Sequence, residues 1–308
     1  MGAEAINICI IGVGNIAIHH INGIIRNKKT NIRLFLVDKD KSKVIFLKNL
    51  IEDRVDELIL LNSIDPSISY DCIINCLPYQ VRQKQSSWNE INNSTYKVLI
   101  VEKPLGSTDL RNIKTSKTVV PYIRAIDLSN SLCAKNIAES QSDFPGRIEI
   151  TEHISIEPTM SILLDLHSHL LSVVSWILNR TAGIDGISDI KINRTSQIEY
   201  VLQSGGQSCQ VVLNFEYSNI SSSAIILIDG KKYNYLTMTE SLSFSKLLFI
   251  KEYFLYGRKL HIYDNFQLLY KKLMDGSWVI PEEFRWMQAT LMCDSKITNN
   301  IIKAIENE

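Results

Sequence analysis

Cysteine is scarce and scattered. The 308 residues hold six, at Cys9, Cys72, Cys76, Cys133, Cys209 and Cys293, and none forms a CxxC pair. Cys9, Cys72 and Cys76 fall inside apolar strand-like runs, where thiols behave as small buried hydrophobes. Cys72 and Cys76 share a strand face, but no partner His or Cys completes a zinc set, so no metal site is expected. This is the usage of a reduced, cytoplasmic chain rather than of a disulfide scaffold. Net charge is missing too: Lys+Arg and Asp+Glu are both 33, so no global field draws nucleic acid or an anionic membrane. The basic cluster Arg26, Lys28, Lys29 and Arg33 reads as a solvated connection. No uncharged apolar run reaches membrane-spanning length, and no signal peptide is expected from the opening Met-Gly-Ala-Glu-Ala. Low-complexity stretches and solenoid-period repeats are lacking as well.

What is present is apolar and periodic. Apolar residues make up 45% of the chain, enough to pack one large or two ordinary domains. Ile6 to Ile11 reads as a buried strand running into Gly12-Val13-Gly14-Asn15-Ile16-Ala17, a G-x-G-x-x-A that opens a helix continuing to about Arg26. Gly12 permits the turn, Gly14 lets backbone approach a pyrophosphate, and Ala17 allows close helix–strand packing. The helix N-terminus offers N–H groups and a positive dipole end to phosphate. A second strand, Arg33 to Val37, ends in Asp38, spaced as the acid that binds the adenosine ribose hydroxyls; the plainer reading is an N-cap of the segment Lys39 to Asn49, and the two roles are not exclusive.

Glu57 to Leu60, Tyr70 to Cys76, Val98 to Val101 and Val119 to Arg124 continue the strands, with helices expected over Tyr79 to Asn92 and Thr108 to Lys117. Alternation of this kind means βαβ units and a parallel sheet, with the Gly loop, Asp38, Leu77-Pro78 and Lys103 at one edge. Lys103 stands in Glu102-Lys103-Pro104, at the mouth of the fifth strand, where open α/β sheets bind ligands; a solvated charge pair is the plainer reading. After about residue 122 the pattern changes. Helical stretches at Ser129 to Ser140 and Ser161 to Leu178 flank an alternating strand at Arg147 to Ile154. A run of strand-like segments then extends from Gly183 to about Asp264, and a helix from Glu282 to Glu306 closes the chain. The expected architecture is an α/β Rossmann domain over residues 1–122 and an α+β domain with a mostly antiparallel open sheet over 123–308.

The helix after residue 160 carries Asp165 and His169 at i and i+4, sharing a face, with His167 turned away. A carboxylate one turn from an imidazole can tune a general acid/base, or can merely solvate a helix. With the Gly loop and its following His19-His20, Glu102-Lys103-Pro104, and Asp165 with His169, the chain resembles the Gfo/Idh/MocA oxidoreductases. The resemblance implies a nicotinamide cofactor in the first domain and a sugar or polyol over the second. It implies that Gly12, Gly14, Asn15, Ile16, Asp38, Leu77, Pro78, Glu102 and Lys103 meet the cofactor. It further implies that Lys103 bonds the reacting oxygen, Asp165 helps bind substrate and His169 passes the proton. His167, Arg82 and Pro158-Thr159-Met160 depart from the family pattern near the cleft, which leaves the substrate open.

The expected activity is therefore NAD(P)-dependent hydride transfer at a hydroxyl or carbonyl carbon of a sugar, cyclitol or nucleotide-sugar. An imine or tetrapyrrole reductase, or a non-catalytic NAD(P)-binding regulator, stands as the alternative; a methyltransferase explains neither Lys103-Pro104 nor the Asp165/His169 helix. Asp38 favours NAD(H), while Lys39 and Lys41 leave NADP(H) open. The apolar content of Gln210 to Phe215 and Ala224 to Ile228 exceeds what one buried face requires, so a homodimer or homotetramer is expected.

Overall fold

Six apolar runs pair into one parallel sheet: β1 Ile6–Ile11, β2 Ile32–Val37, β3 Glu57–Leu61, β4 Ser69–Asn75, β5 Thr95–Val101 and β6 Thr118–Val119, in the order β3-β2-β1-β4-β5-β6. The structure, a computed structural model, describes residues 5–27, 31–129, 132–141, 143–154, 157–179, 184–193, 195–218, 223–236 and 262–306. The central strands are buried on both faces, which is why Ile8-Cys9-Ile10 and Cys72-Ile73-Ile74 carry no polar alternation. Strand order reverses at β1, which pairs in parallel with β2 on one side and β4 on the other. That reversal opens a crevice beyond the carboxyl ends of β1 and β4.

Helices α1 Asn15–Ile25, α2 Lys41–Ile51, α3 Tyr79–Arg82, α4 Asn89–Asn92 and α5 Ser107–Asn112 connect the strands. The helix expected over Tyr79 to Asn92 is broken into α3 and α4. Lys84 is extended, and the Arg82 carbonyl accepts from the Trp88 indole instead of from a helical N–H. The expected Thr108–Lys117 helix ends at Asn112 and resumes only as a 3-10 turn, Thr115–Lys117. The strand expected over Val119 to Arg124 is two residues long. Pro121 has no N–H to extend a ladder, and a helix, α6 Ile123–Ser129, begins two residues later.

The second sheet runs β12-β11-β7-β10-β9-β8, built from β7 Arg147–Ile154, β8 Gly186–Asn193, β9 Gln197–Ser204, β10 Gln207–Tyr217, β11 Ser223–Ile228 and β12 Lys231–Leu236. Among the described residues of this sheet only β7 and β10 pair in parallel. Ile148, Ile150, Val211, Leu213, Phe215 and Ile226 fill its core face. The other face is more polar than expected. Asn214 donates to Glu149 and Thr151 and accepts from Gln197, and Val212, two residues along on the same face, is flanked by Glu149 and Glu199. Helices α7 Leu132–Ser140 and α8 Met160–Leu178 accompany this sheet. α8 is long and apolar enough to cross a membrane on length and composition alone, but 12 of its 19 residues are buried within the protein.

Among the described residues after the sheet are the helices α9 Ile262–Asp275 and α10 Arg285–Glu306. The chain divides into two compact units, the first Met1–Pro121 with Ile262–Gln288 and the second Tyr122–His261 with Ala289–Glu308. The first sheet's unit thus includes α9, a segment whose start was read as the end of the strand run. The rest of that run after residue 236 lies outside the described residues. α9 docks on α1 at Gly23, where a Cβ would stand 2.8 Å from the Phe266 Cβ, and Asn27 donates to the carbonyls of both Gly23 and Gln267.

Candidate functional site

The crevice at the strand reversal is a cleft of about 550 Å³ lined by Gly12, Gly14, Asp38, Leu77 and Pro78, together with Lys39, Lys43, Asn62, Lys84 and Glu90. Gly12 has a φ of +85°, and a Cβ on it would come within 3.0 Å of the Cys76 carbonyl carbon and the Leu77 nitrogen. Only glycine fits a backbone so turned and so close to the end of β4. Gly14 faces the opposite way: a Cβ there meets nothing within 4 Å, so the cleft passes directly over its backbone. No side chain caps the α1 N-terminus at Gly14, which leaves this helix end to whatever enters the cleft. Asn15 lies with Gly14 on an adjoining hollow of about 650 Å³ between α1 and α2, and Ile16 is half-buried in the first turn.

Asp38 fastens this loop. One carboxylate oxygen accepts from Val13 N at 2.6 Å and the other from Asp40 N at 2.8 Å. The α2 cap is Asp40, whose carboxylate accepts from Ser42 N and Lys43 N, so the capping alternative for Asp38 is not realised. Local hydrogen bonding, first to the Ser42 hydroxyl, holds the Asp40 carboxyl below its ordinary range. Of the two lysines weighed for a phosphate, Lys39 lines the cleft and Lys41 does not; Lys43 takes that place.

Glu102 and Lys103 do not line this cleft but follow β5, next to β4 in the sheet. Glu102 is buried, and its Oε1 lies 2.7 Å from His20 Nε2 on α1. His20 Nδ1 is in turn 2.6 Å from the Tyr270 hydroxyl on α9. One neutral tautomer serves both contacts, Nε2–H donating to the carboxylate and Nδ1 accepting from the phenol. Lys103 is half-buried, and the Lys103–Pro104 peptide is cis. Beyond it Arg82 donates to Pro104 O at 2.6 Å, to Leu77 O at 2.7 Å and to Asp109 Oδ1 at 3.1 Å. Asp109 also accepts from Gly106 N and Gln83 Nε2. Burial pushes the Asp109 carboxyl above its ordinary value, and Arg82 and these donors offset only part of that.

In the second unit α8 presents Asp165 exposed and His169 half-buried one turn on. His167 points into the core, fully buried. Its Nδ1 meets Leu163 O at 3.1 Å, and its Nε2 lies 3.0 Å from Asp294 Oδ1 and 3.1 Å from Thr298 Oγ1 on α10. Asp294 also accepts from the hydroxyls of Ser168 and Tyr122. Among the described residues no group of three or more His, Cys, Asp or Glu is arranged to hold a metal ion. All six cysteines are free and buried; burial carries the Cys9 and Cys209 thiols to about 12, so neither is a nucleophile near neutral pH.

Sequence reasoning missed Tyr270 and Asp294, the far partners of the buried His20 and His167. For Tyr270 a signal existed: Phe266, Leu269, Tyr270 and Leu273 recur at helical spacing and all are buried. Asp294 sits in a helix that was expected, but nothing local pairs it with a histidine more than a hundred residues earlier.

No family model matches the chain, and no curated protein matches it. Solved structures do match. A myo-inositol dehydrogenase from Lactobacillus casei in complex with NAD(H) and myo-inositol superposes with TM-score 0.62 at 12% identity, over 97% of this chain and 95% of that one. A Gfo/Idh/MocA family oxidoreductase from Vibrio cholerae gives TM-score 0.59 at 12% identity, over 98% and 99%. The WlbA dehydrogenase from Thermus thermophilus in complex with NAD and UDP-GlcNAcA gives 0.56 at 10%, over 95% and 94%. Over nearly its whole length, the chain has the fold of the Gfo/Idh/MocA oxidoreductases.

Proposed function

We propose that this protein is an NAD-dependent oxidoreductase acting on a CH–OH group, or on the matching carbonyl, of a sugar, cyclitol or nucleotide-sugar. The observation that carries the reading is the cleft at the β1/β4 reversal. Its floor is the Gly14 backbone and an uncapped helix end, in a fold shared with dehydrogenases whose structures hold NAD. Gly12, Gly14, Asn15 and Ile16 would hold a pyrophosphate by backbone N–H groups. Asp38 would accept from ribose hydroxyls, and Leu77 and Pro78 would wall the cleft beyond. NAD, when bound, supplies the hydride acceptor.

The chain's own residues then have separable roles. Lys103 donates to the reacting oxygen and stabilises charge developing on it. His169 takes the hydroxyl proton in oxidation and returns it in reduction, with Asp165 one helical turn away to bind substrate and orient the ring. Glu102 belongs to the same loop, engaged with His20. The first unit, Met1–Pro121 with Ile262–Gln288, would then serve as the dinucleotide-binding part and the second unit, with its sheet and α8, as the substrate-binding part. Homodimers or homotetramers would form through the second sheet's other face. There the half-buried Ile225 lies opposite Thr151 and the half-buried Leu227 opposite Glu149.

Fluorescence titration with NADH and NADPH, on the wild type and on Gly14→Val, tests the cofactor half. The expected result is NADH binding tighter than NADPH binding, with NADH affinity lost in Gly14→Val. A clear preference for NADPH would overturn the role of Asp38. Absence of binding, or equal binding by the variant, would overturn the cleft.

A further inference from the structure

Lys103 stands between two residues that are each held by a buried polar anchor. On its N-terminal side, the Glu102 carboxylate is fixed by His20 of α1, itself fixed by Tyr270 of α9. On its C-terminal side, the Pro104 carbonyl is fixed by Arg82 of α3, itself fixed by Asp109 of α5. His20, Tyr270, Arg82 and Asp109 are all essentially without solvent exposure. None belongs to the cleft lining, and Arg82 stands where the family resemblance led to a different residue.

Burying such groups, the Arg82–Asp109 ion pair above all, is expensive and is commonly no gain in stability over apolar side chains. Their use here is geometric. A long flexible ammonium can stabilise charge on a substrate oxygen only if its backbone is held, because a misplacement of about 1 Å can cost about 10²-fold in rate. The same Arg82 also holds Leu77 O, so one guanidinium ties the loop after β4 to the loop after β5. Ordinary packing could not do this: both contacts are to backbone carbonyls, which need a donor, and guanidinium offers several in a fixed plane.

We propose that Tyr270, through His20 and Glu102, and Arg82, through Pro104, are positioning residues for Lys103. The inference rests on the Lys103 role given above, and its test separates the two. Arg82→Ala leaves Asp109 buried without its ion partner and risks misfolding, so Arg82→Lys and Tyr270→Phe carry the experiment, with His20→Gln as the conservative rescue of the Glu102 contact. Hydrogen exchange of the peptide spanning Glu102 to Gly106 is followed by mass spectrometry in the full-length chain. Alongside it, kcat and KM are measured with NAD and whichever cyclitol or sugar the wild type turns over. Exchange in that peptide should rise by up to about tenfold in Arg82→Lys and Tyr270→Phe, with little change in β1 or β2. kcat should fall by about 10–10²-fold while KM for NAD holds, and His20→Gln should stay near wild type. Unchanged exchange in both variants overturns the anchors whatever the turnover. So does raised exchange with unchanged kcat, provided Lys103→Met is inactive. If Lys103→Met is itself fully active, the Lys103 role fails, and the positioning inference falls with it even where the exchange rises.

Discussion

His20 and His167 are both fully buried imidazoles held by a carboxylate, yet they are built differently. His20 bridges Glu102 and a phenol, and the residue after Glu102 is Lys103. His167 has oxygen acceptors at both ring nitrogens, Leu163 O and Asp294, and the residue two places on is His169. In the first unit the histidine grips a loop; in the second it grips one helix to another. The difference teaches that a buried histidine beside a candidate catalytic residue can serve its placement by two routes, loop anchorage and fixed helix rotation. Neither route requires contact with a substrate.

The largest effect that would sharpen this contrast is at His169 itself. His169→Asn should lower kcat by about 10²–10⁴-fold with NADH affinity kept, since asparagine cannot relay a proton. Asp165→Asn should cost less and appear partly in KM. Steady-state kinetics beside an NADH titration check both, and equal losses in NADH affinity would show that α8 had merely been disturbed.

Stability separates the anchors next. Arg82→Ala and Asp294→Ala each leave a buried ionisable partner behind, at about 3–5 kcal/mol for a broken buried pair. Denaturant unfolding of both should give losses of that size. A loss under about 1 kcal/mol at Asp294 would mean that its network is hydrated and that the likeness between the two histidines is superficial.

The smallest effect is a titration. Burial raises the phenols of Tyr70, to about 12, and of Tyr96, and carries Tyr122, Tyr200 and Tyr270 well above their ordinary value. Their folded values exceed their unfolded ones. Their contribution to stability is therefore fully present below about pH 10 and is lost as pH rises through the folded values. Phenolate absorbance should show these five staying neutral until alkaline unfolding. Ionisation of every tyrosine with the fold intact would contradict their burial in either unit.

The first sheet was legible where a strand and the turn after it announce themselves within a few residues. Gly12 and Gly14 follow an apolar run, and Glu102-Lys103-Pro104 ends another. The site residues read from such motifs were therefore local ones. What could not be read was anything that depends on distant partners. Tyr270 reaches His20 across 250 positions and Asp294 reaches Ser168 across 126, and no periodicity records such pairings. Arg82 was visible as a departure, but its contacts with Leu77 O and Pro104 O are to backbone and leave no trace in side-chain identity. The break of α3 from α4 was hidden for a similar reason: the Trp88 indole takes up a carbonyl that a helix would have used.

The most direct measurement is turnover. Wild type and Lys103→Met, both shown to be folded, are incubated with NAD and a panel of cyclitols, sugars and nucleotide-sugars, and NADH formation is followed by absorbance. Turnover of at least one compound by the wild type, reduced about 10²-fold or more in Lys103→Met at unchanged NADH affinity, is the predicted result. Turnover by Lys103→Met within a few-fold of wild type would contradict the account and leave only the fold.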